Sequence, residues 1–129
     1  MVKTSLVETD IVDGRRLIAA LNQTNSHFQV QAAFWLYRPE ARDWRFIVAT
    51  PLIDQKGPFS TYADVQGALR TIAPPLSISM QDISVVSPND KLVKVLKKAA
   101  HIPPGAPGVR FGRSRIDDTY VEDAYMYRV

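Results

Sequence analysis

FQVQAAFWLYR (residues 28–38) and WRFIVATPLI (residues 44–53), joined by PEARD (residues 39–43), decide how this chain folds. Successive side chains of a strand point to opposite faces. In the first run that places Phe28, Val30, Ala32, Phe34 and Leu36 on one face and Gln29, Gln31, Ala33, Trp35 and Tyr37 on the other. The first face predicts a core. The second begins polar and ends aromatic, so Trp35 and Tyr37 are either covered by a helix or form an exposed patch for a partner. The second run sets Trp44, Phe46, Val48 and Leu52 against Ile47, Ala49 and Ile53. Both of its faces call for burial, which predicts a central strand. The short polar link makes the pair a hairpin.

Working outward, Ile11, Leu17, Ile18 and Leu21 fall at helical spacing and predict a helix from about Asp10 to Asn25, capped by Thr9 or Asp10. Glu8, Asp10 and Asp13 put negative charge at its positive end. Gly14 costs about 1 kcal/mol relative to Ala, which predicts a frayed or kinked first turn, and residues 1–7 read as a flexible N-terminus. Downstream, Thr61 and Asp64 have capping-box spacing at the start of a helix from about Ser60 to Ile72, ended by Pro74-Pro75. A short strand, Ile83 to Val86, leads into Ser87-Pro88-Asn89-Asp90, which predicts a helix from Pro88 to about Ala100 with Ser87 as its cap. Its apolar side is Leu92, Val95, Leu96 and Ala99, with Lys91, Lys94 and Lys98 on the other. Residues 101–108, with three prolines and two glycines, cannot be regular structure. A closing hairpin, Val109 to Ile116 and Thr119 to Arg128 around Asp117-Asp118, sets Arg113 opposite Glu122, Phe111 opposite Ala124 and Val109 opposite Met126. The expected fold is α+β, a single domain over residues 1–129. It has a mostly antiparallel or mixed sheet of about five strands with three helices, in the order α-β-β-α-β-α-β-β.

A chain of 129 residues, 46% hydrophobic, buries roughly two-thirds of its unfolded surface and needs no disulfide or structural metal. The absence of cysteine removes disulfide frameworks, thiolate zinc sites and a cysteine nucleophile together. No apolar run approaches a membrane span of about 20 residues, and Met1 to Ser5 lack the apolar core of a secretory signal. The expectation is a cytoplasmic protein with no membrane partner. The net charge of +3 is uneven: residues 91–115 hold seven bases and no acid, leaving nine bases against 13 acids elsewhere. Any electrostatic partner belongs to that stretch.

Four segments add a resemblance: Trp35 to Glu40, Ala49 to Pro58, Asp82 to Pro88 and Glu122 to Arg128. They resemble a group of small, uncharacterised bacterial proteins. The resemblance covers most of the chain and implies a bacterial, free-standing domain. It brings no activity with it.

Three kinds of chemistry compete. Asp54-Gln55-Lys56 after an α-β-β unit is similar to the strand motif of restriction-type nucleases. There two carboxylates hold a divalent metal such as Mg and the lysine positions the attacking water. Glu40 or Asp13 would supply the second acid, because residues 28–38 contain none. The alternative is a solvated turn with a local ion pair. Secondly, Lys91, Lys94 and Lys98 with Arg110, Arg113 and Arg115 form a candidate nucleic-acid surface, with Tyr120, Tyr125 and Tyr127 offering rings for unpaired bases. Against it, Asp117, Asp118, Glu122 and Asp123 can neutralise the arginines. Thirdly, Trp35 and Tyr37 fit an interface with a protein partner or a second copy. His27 and His101 have no metal-ligand companion at usable spacing, and no Gly-x-Ser-x-Gly elbow or glycine-rich phosphate loop is present. The expectation is a module with no catalytic site or cofactor of its own that binds another macromolecule or itself. Nucleic-acid binding and the metal-dependent nuclease are the alternatives.

Overall fold

The structure is a computed structural model that describes residues 3–24 and 28–129. The elements are α1 (Glu8–Thr24), β1 (Ala32–Arg38), β2 (Asp43–Ala49), α2 (Leu52–Arg70), β3 (Ile83–Val86), α3 (Lys91–Ala99), β4 (Val109–Ile116) and β5 (Thr119–Arg128), with a single 3-10 turn at Met80–Asp82. This is the expected α+β order. One five-stranded sheet runs β3-β2-β1-β5-β4. Its pairs are antiparallel except β2 with β3, which are parallel and linked through α2. The strand with two apolar faces is therefore interior, next to β1.

Alternation along the strands builds two cores. Ala33, Trp35, Phe46, Val48, Val85 and Tyr127 meet Leu17, Ile18 and Leu21 of α1 and Val65 and Ala68 of α2. On the other face Ala32, Phe34, Ile47, Ala124 and Met126 meet Val93 and Leu96 of α3. Both faces of β1 are thus buried, and helices lie on both sides of the sheet.

Several boundaries differ from expectation. The first strand enters the ladder at Ala32, and Phe28 and Val30 bury themselves with Trp35 instead of Phe34. Being ahead of the ladder, they are not bound by its alternation. The second strand stops at Ala49 because Pro51 has no amide hydrogen to give a ladder, and its φ of −65° suits a helix start. Asp54, Gln55 and Lys56 are consequently helical. Gly57, at φ 82°, kinks α2 ahead of Pro58, a left-handed geometry open to glycine. Asp90, not Ser87, caps α3, its carboxylate accepting from the Leu92 amide at 3.0 Å. Val93 joins the buried side of α3 and Ala99 is exposed.

Helix α1 is continuous through Gly14, and the reason lies across the core. A Cβ at Gly14 would stand 2.1 Å from the Tyr127 hydroxyl. That hydroxyl donates to the Ile11 carbonyl at 2.8 Å and accepts from Trp35 Nε1 at 3.0 Å. Gly14 is a seat for Tyr127. Residues 3–7 are likewise fastened: the Lys3 carbonyl accepts from the Trp44 amide at 2.8 Å, and Leu6 packs on the core.

Candidate functional site

The nuclease residues do not converge. Glu40 lies in the β1–β2 turn and Asp54 beyond the far end of β2. Seven residues of strand at about 3.3 Å each separate those ends, far more than one metal ion spans. The Asp54 carboxylate accepts from the Ser87 hydroxyl at 2.6 Å. Lys56 forms an ion pair with Asp64 across the Gly57 kink. Among the described residues no three His, Asp or Glu side chains are grouped to hold a metal.

Asp13, the other substitute acid, belongs to a buried knot that sequence reading missed. Ser77 Oγ lies 2.8 Å from Asp13 and 3.0 Å from Asp10, and the Ser77 amide donates to Asp13 at 2.8 Å. Lys3 pairs with Asp10 at 2.8 Å and Arg16 with Asp13 at 3.1 Å. Burial pushes the Asp13 carboxyl up, but the Ser77 and Arg16 hydrogen bonds outweigh it and hold the group below its ordinary value. The knot ties the segment after α2 to α1, and its charges are spent on each other.

The aromatic patch is not a surface. Trp35 is fully buried, with its ring 5.1 Å from Phe46. Tyr37 is half-buried against Trp44 at 5.4 Å. Free sheet edges are poorly suited to strand exchange as well. Strand β3 has only four residues. Edge strand β4 carries Arg110, Arg113 and Arg115, and Arg113 at φ 50° breaks its regularity.

The basic stretch divides in two. Strands β4 and β5 pair in the expected register, with Phe111 opposite Ala124 and Val109 opposite Met126. Their turn, Asp117-Asp118, sits beside α3. There Lys91 pairs with Asp118 at 2.9 Å and Lys98 with Asp117 at 2.7 Å. The lysine raises no barrier to ionisation of Asp118; it lowers that carboxyl's pKa through their hydrogen bond, and Asp117 raises that of Lys98 in the same way. Arg110 makes two 2.7 Å hydrogen bonds to Asp123 and lies over the Trp44 ring. Arg115 covers the Tyr120 ring. Arg113 turns out of the ladder, and Glu122 accepts from the Tyr120 hydroxyl, raising the phenol's pKa. Of the three tyrosines, Tyr127 is buried, Tyr125 half-buried and Tyr120 exposed. Two of the acids expected to neutralise arginines are therefore paired with Lys91 and Lys98.

On the other side no described Asp or Glu is paired with the basic residues. Lys97, His101 and Arg128 line a cleft of about 540 Å³ with Val30, Gln31, Ile102 and Val129, and no Asp or Glu side chain lines it. Lys94 is not part of this cleft: it lines a pocket with Lys91, Lys98, Asp117 and Asp118. Arg128 donates to the Val30 carbonyl at 2.9 Å, and burial alone pushes its guanidinium pKa down. Beyond Arg128 a second cavity of about 220 Å³ opens between α1 and the turn at residues 103–106. Arg15 and Arg128 are its charged residues. His27 lies outside the described residues.

Sequence reading set His101 aside and missed Lys97, Arg15 and Arg128 as site residues. No local signal was available: the aspartates that pair with Lys91 and Lys98 lie 27 and 19 residues further along the chain. No described helix is long and apolar enough to cross a membrane. Compared with protein-family models, curated proteins and solved structures, the chain matches none.

Proposed function

We propose that the chain is a binding module for single-stranded nucleic acid, held by its phosphates along a rim of Lys97, His101 and Arg128. One observation carries this reading: the cleft lined by Lys97, His101 and Arg128 contains no carboxylate side chain, whereas Lys91, Lys98 and Arg110 already hold Asp118, Asp117 and Asp123. A paired cation must release its carboxylate before it can take a phosphate. An unpaired one exchanges only water and counterions.

The exposed ring of Tyr120 belongs to the hairpin end, so bases receive no aromatic platform at the rim. Binding is through the backbone and indifferent to sequence. Fluorescence anisotropy of labelled single-stranded RNA and DNA tests this. With about three phosphate contacts, the logarithm of affinity should fall against the logarithm of salt with a slope of about −2. Absence of binding by both strands at about 20 mM salt, where phosphate contacts are strongest, would sink the reading.

A further inference from the structure

We propose that the cavity between α1 and the turn at residues 103–106 receives a phosphate monoester dianion, clamped between the guanidinium groups of Arg15 and Arg128. Its volume is about 220 Å³, below the roughly 300 Å³ at which sites for drug-sized ligands begin. That size suits a small anion or the end of a larger one. The lining contains two guanidinium groups, the Asn22 amide and no carboxylate side chain.

The two cations are placed before any ligand arrives. Arg15 donates to the Tyr125 hydroxyl at 3.3 Å and lies over the Tyr127 ring, 5.3 Å from its centre. Arg128 is fixed by the Val30 carbonyl at 2.9 Å. Each guanidinium has five N–H donors, and these contacts use only part of them. Tyr127, which lines the cavity, is immobilised by its seat on Gly14 and its bond to Ile11. On the loop side Gly105 has φ 83°, and nothing lies within 4 Å of where its Cβ would be, so the approach is open.

Charge selects the ligand. Two guanidinium groups match a dianion in forked hydrogen-bond geometry, whereas a carboxylate would leave one of them unmatched. The half-buried Arg128, whose pKa burial depresses with no acid to oppose it, gains a counter-charge when the site fills. Arg128 is shared with the nucleic-acid rim, but Arg15 and Asn22 lie outside it. The cavity can therefore fill if strand binding fails, and the rim can bind if the cavity stays empty.

The phosphate can come from a free small molecule or from the terminal phosphate of a strand, and the test separates them. Calorimetric titration with inorganic phosphate and with acetate, at fixed ionic strength, should show saturable binding at least about tenfold tighter for phosphate. Arg15→Gln, at an exposed position, should weaken it about tenfold, the loss expected for one charged hydrogen-bonding partner, and Lys91→Gln should leave it unchanged. Oligonucleotides with a 5′-phosphate or a 5′-hydroxyl are compared alongside. A preference for the 5′-phosphate that Arg15→Gln abolishes identifies a strand end. Equal strand affinities beside saturable inorganic phosphate binding identify a free phosphate. The proposal is overturned if neither phosphate form binds saturably, if acetate binds as well as phosphate, or if Arg15→Gln binds like the parent.

Discussion

Two sides of helix α3 carry similar side chains and opposite electrostatic situations. Toward the β4–β5 turn, Lys91 and Lys98 are 69% and 66% exposed, yet each is paired with an aspartate of that turn. Toward residues 101–106, Lys97 joins His101 and Arg128 around a cleft with no acidic side chain. Charge counted along the sequence cannot distinguish these, because neutralisation depends on which turn docks beside which face. Exposed ion pairs stabilise a fold by about 0–1 kcal/mol each. Their larger consequence here is to remove two lysines from those ready to bind an anion.

The seam between α1 and β5 lines the cavity of Arg15 and Arg128, while no residue of it lines the pocket of the paired lysines. Breaking that seam should give the largest effect. Gly14→Ala improves intrinsic helix propensity by about 1 kcal/mol but drives a methyl into the Tyr127 hydroxyl, 2.1 Å from the added carbon. The hydroxyl is held by Ile11 and Trp35 and has no free direction to retreat. Overpacking of this kind costs about 1–3 kcal/mol, so urea unfolding should show net destabilisation. Unchanged or increased stability would mean that the Tyr127 seat is soft.

A smaller effect should come from making the two sides of α3 alike. Asp117→Asn with Asp118→Asn frees Lys91 and Lys98 and should tighten single-stranded RNA binding by about threefold to tenfold at low salt, with a steeper salt slope. If affinity does not change, the paired lysines lie off the path of the strand and the comparison concerns geometry more than charge.

Much of the fold was legible because alternation and turn chemistry are local. Phe34 and Trp35 announce opposite buried faces, and Asp117-Asp118 sets a hairpin register that the ladder keeps. The start of α2 was not legible. Asp54 to Pro58 reads as a chain breaker, and only Gly57 in a left-handed conformation lets helical segments join across it. Gly14 shows the same limit from the other direction. Its helical cost is visible in the sequence, but its partner is Tyr127, near the other end of the chain. The candidate site was legible only as a region. Arg15 and Arg128 come from α1 and β5, and nothing in either segment signals that they share a cavity. The acids opposite Arg110 were foreseen in Asp123; those opposite the lysines required knowing that the hairpin turn lies beside α3.

The central claim, that unpaired cations bind and paired ones do not, is tested most directly by two charge reversals read in one assay. Lys97→Glu, at the cleft, and Lys98→Glu, one residue on but paired with Asp117, change net charge equally, so a nonspecific effect of charge would weaken RNA binding equally in both. The account predicts that the first loses at least about fivefold in affinity at low salt and flattens the salt slope by about 0.7, the share of one single-strand phosphate contact. The second should lose about twofold or less, through long-range repulsion alone. Equal losses, or a larger loss from Lys98→Glu, would contradict it.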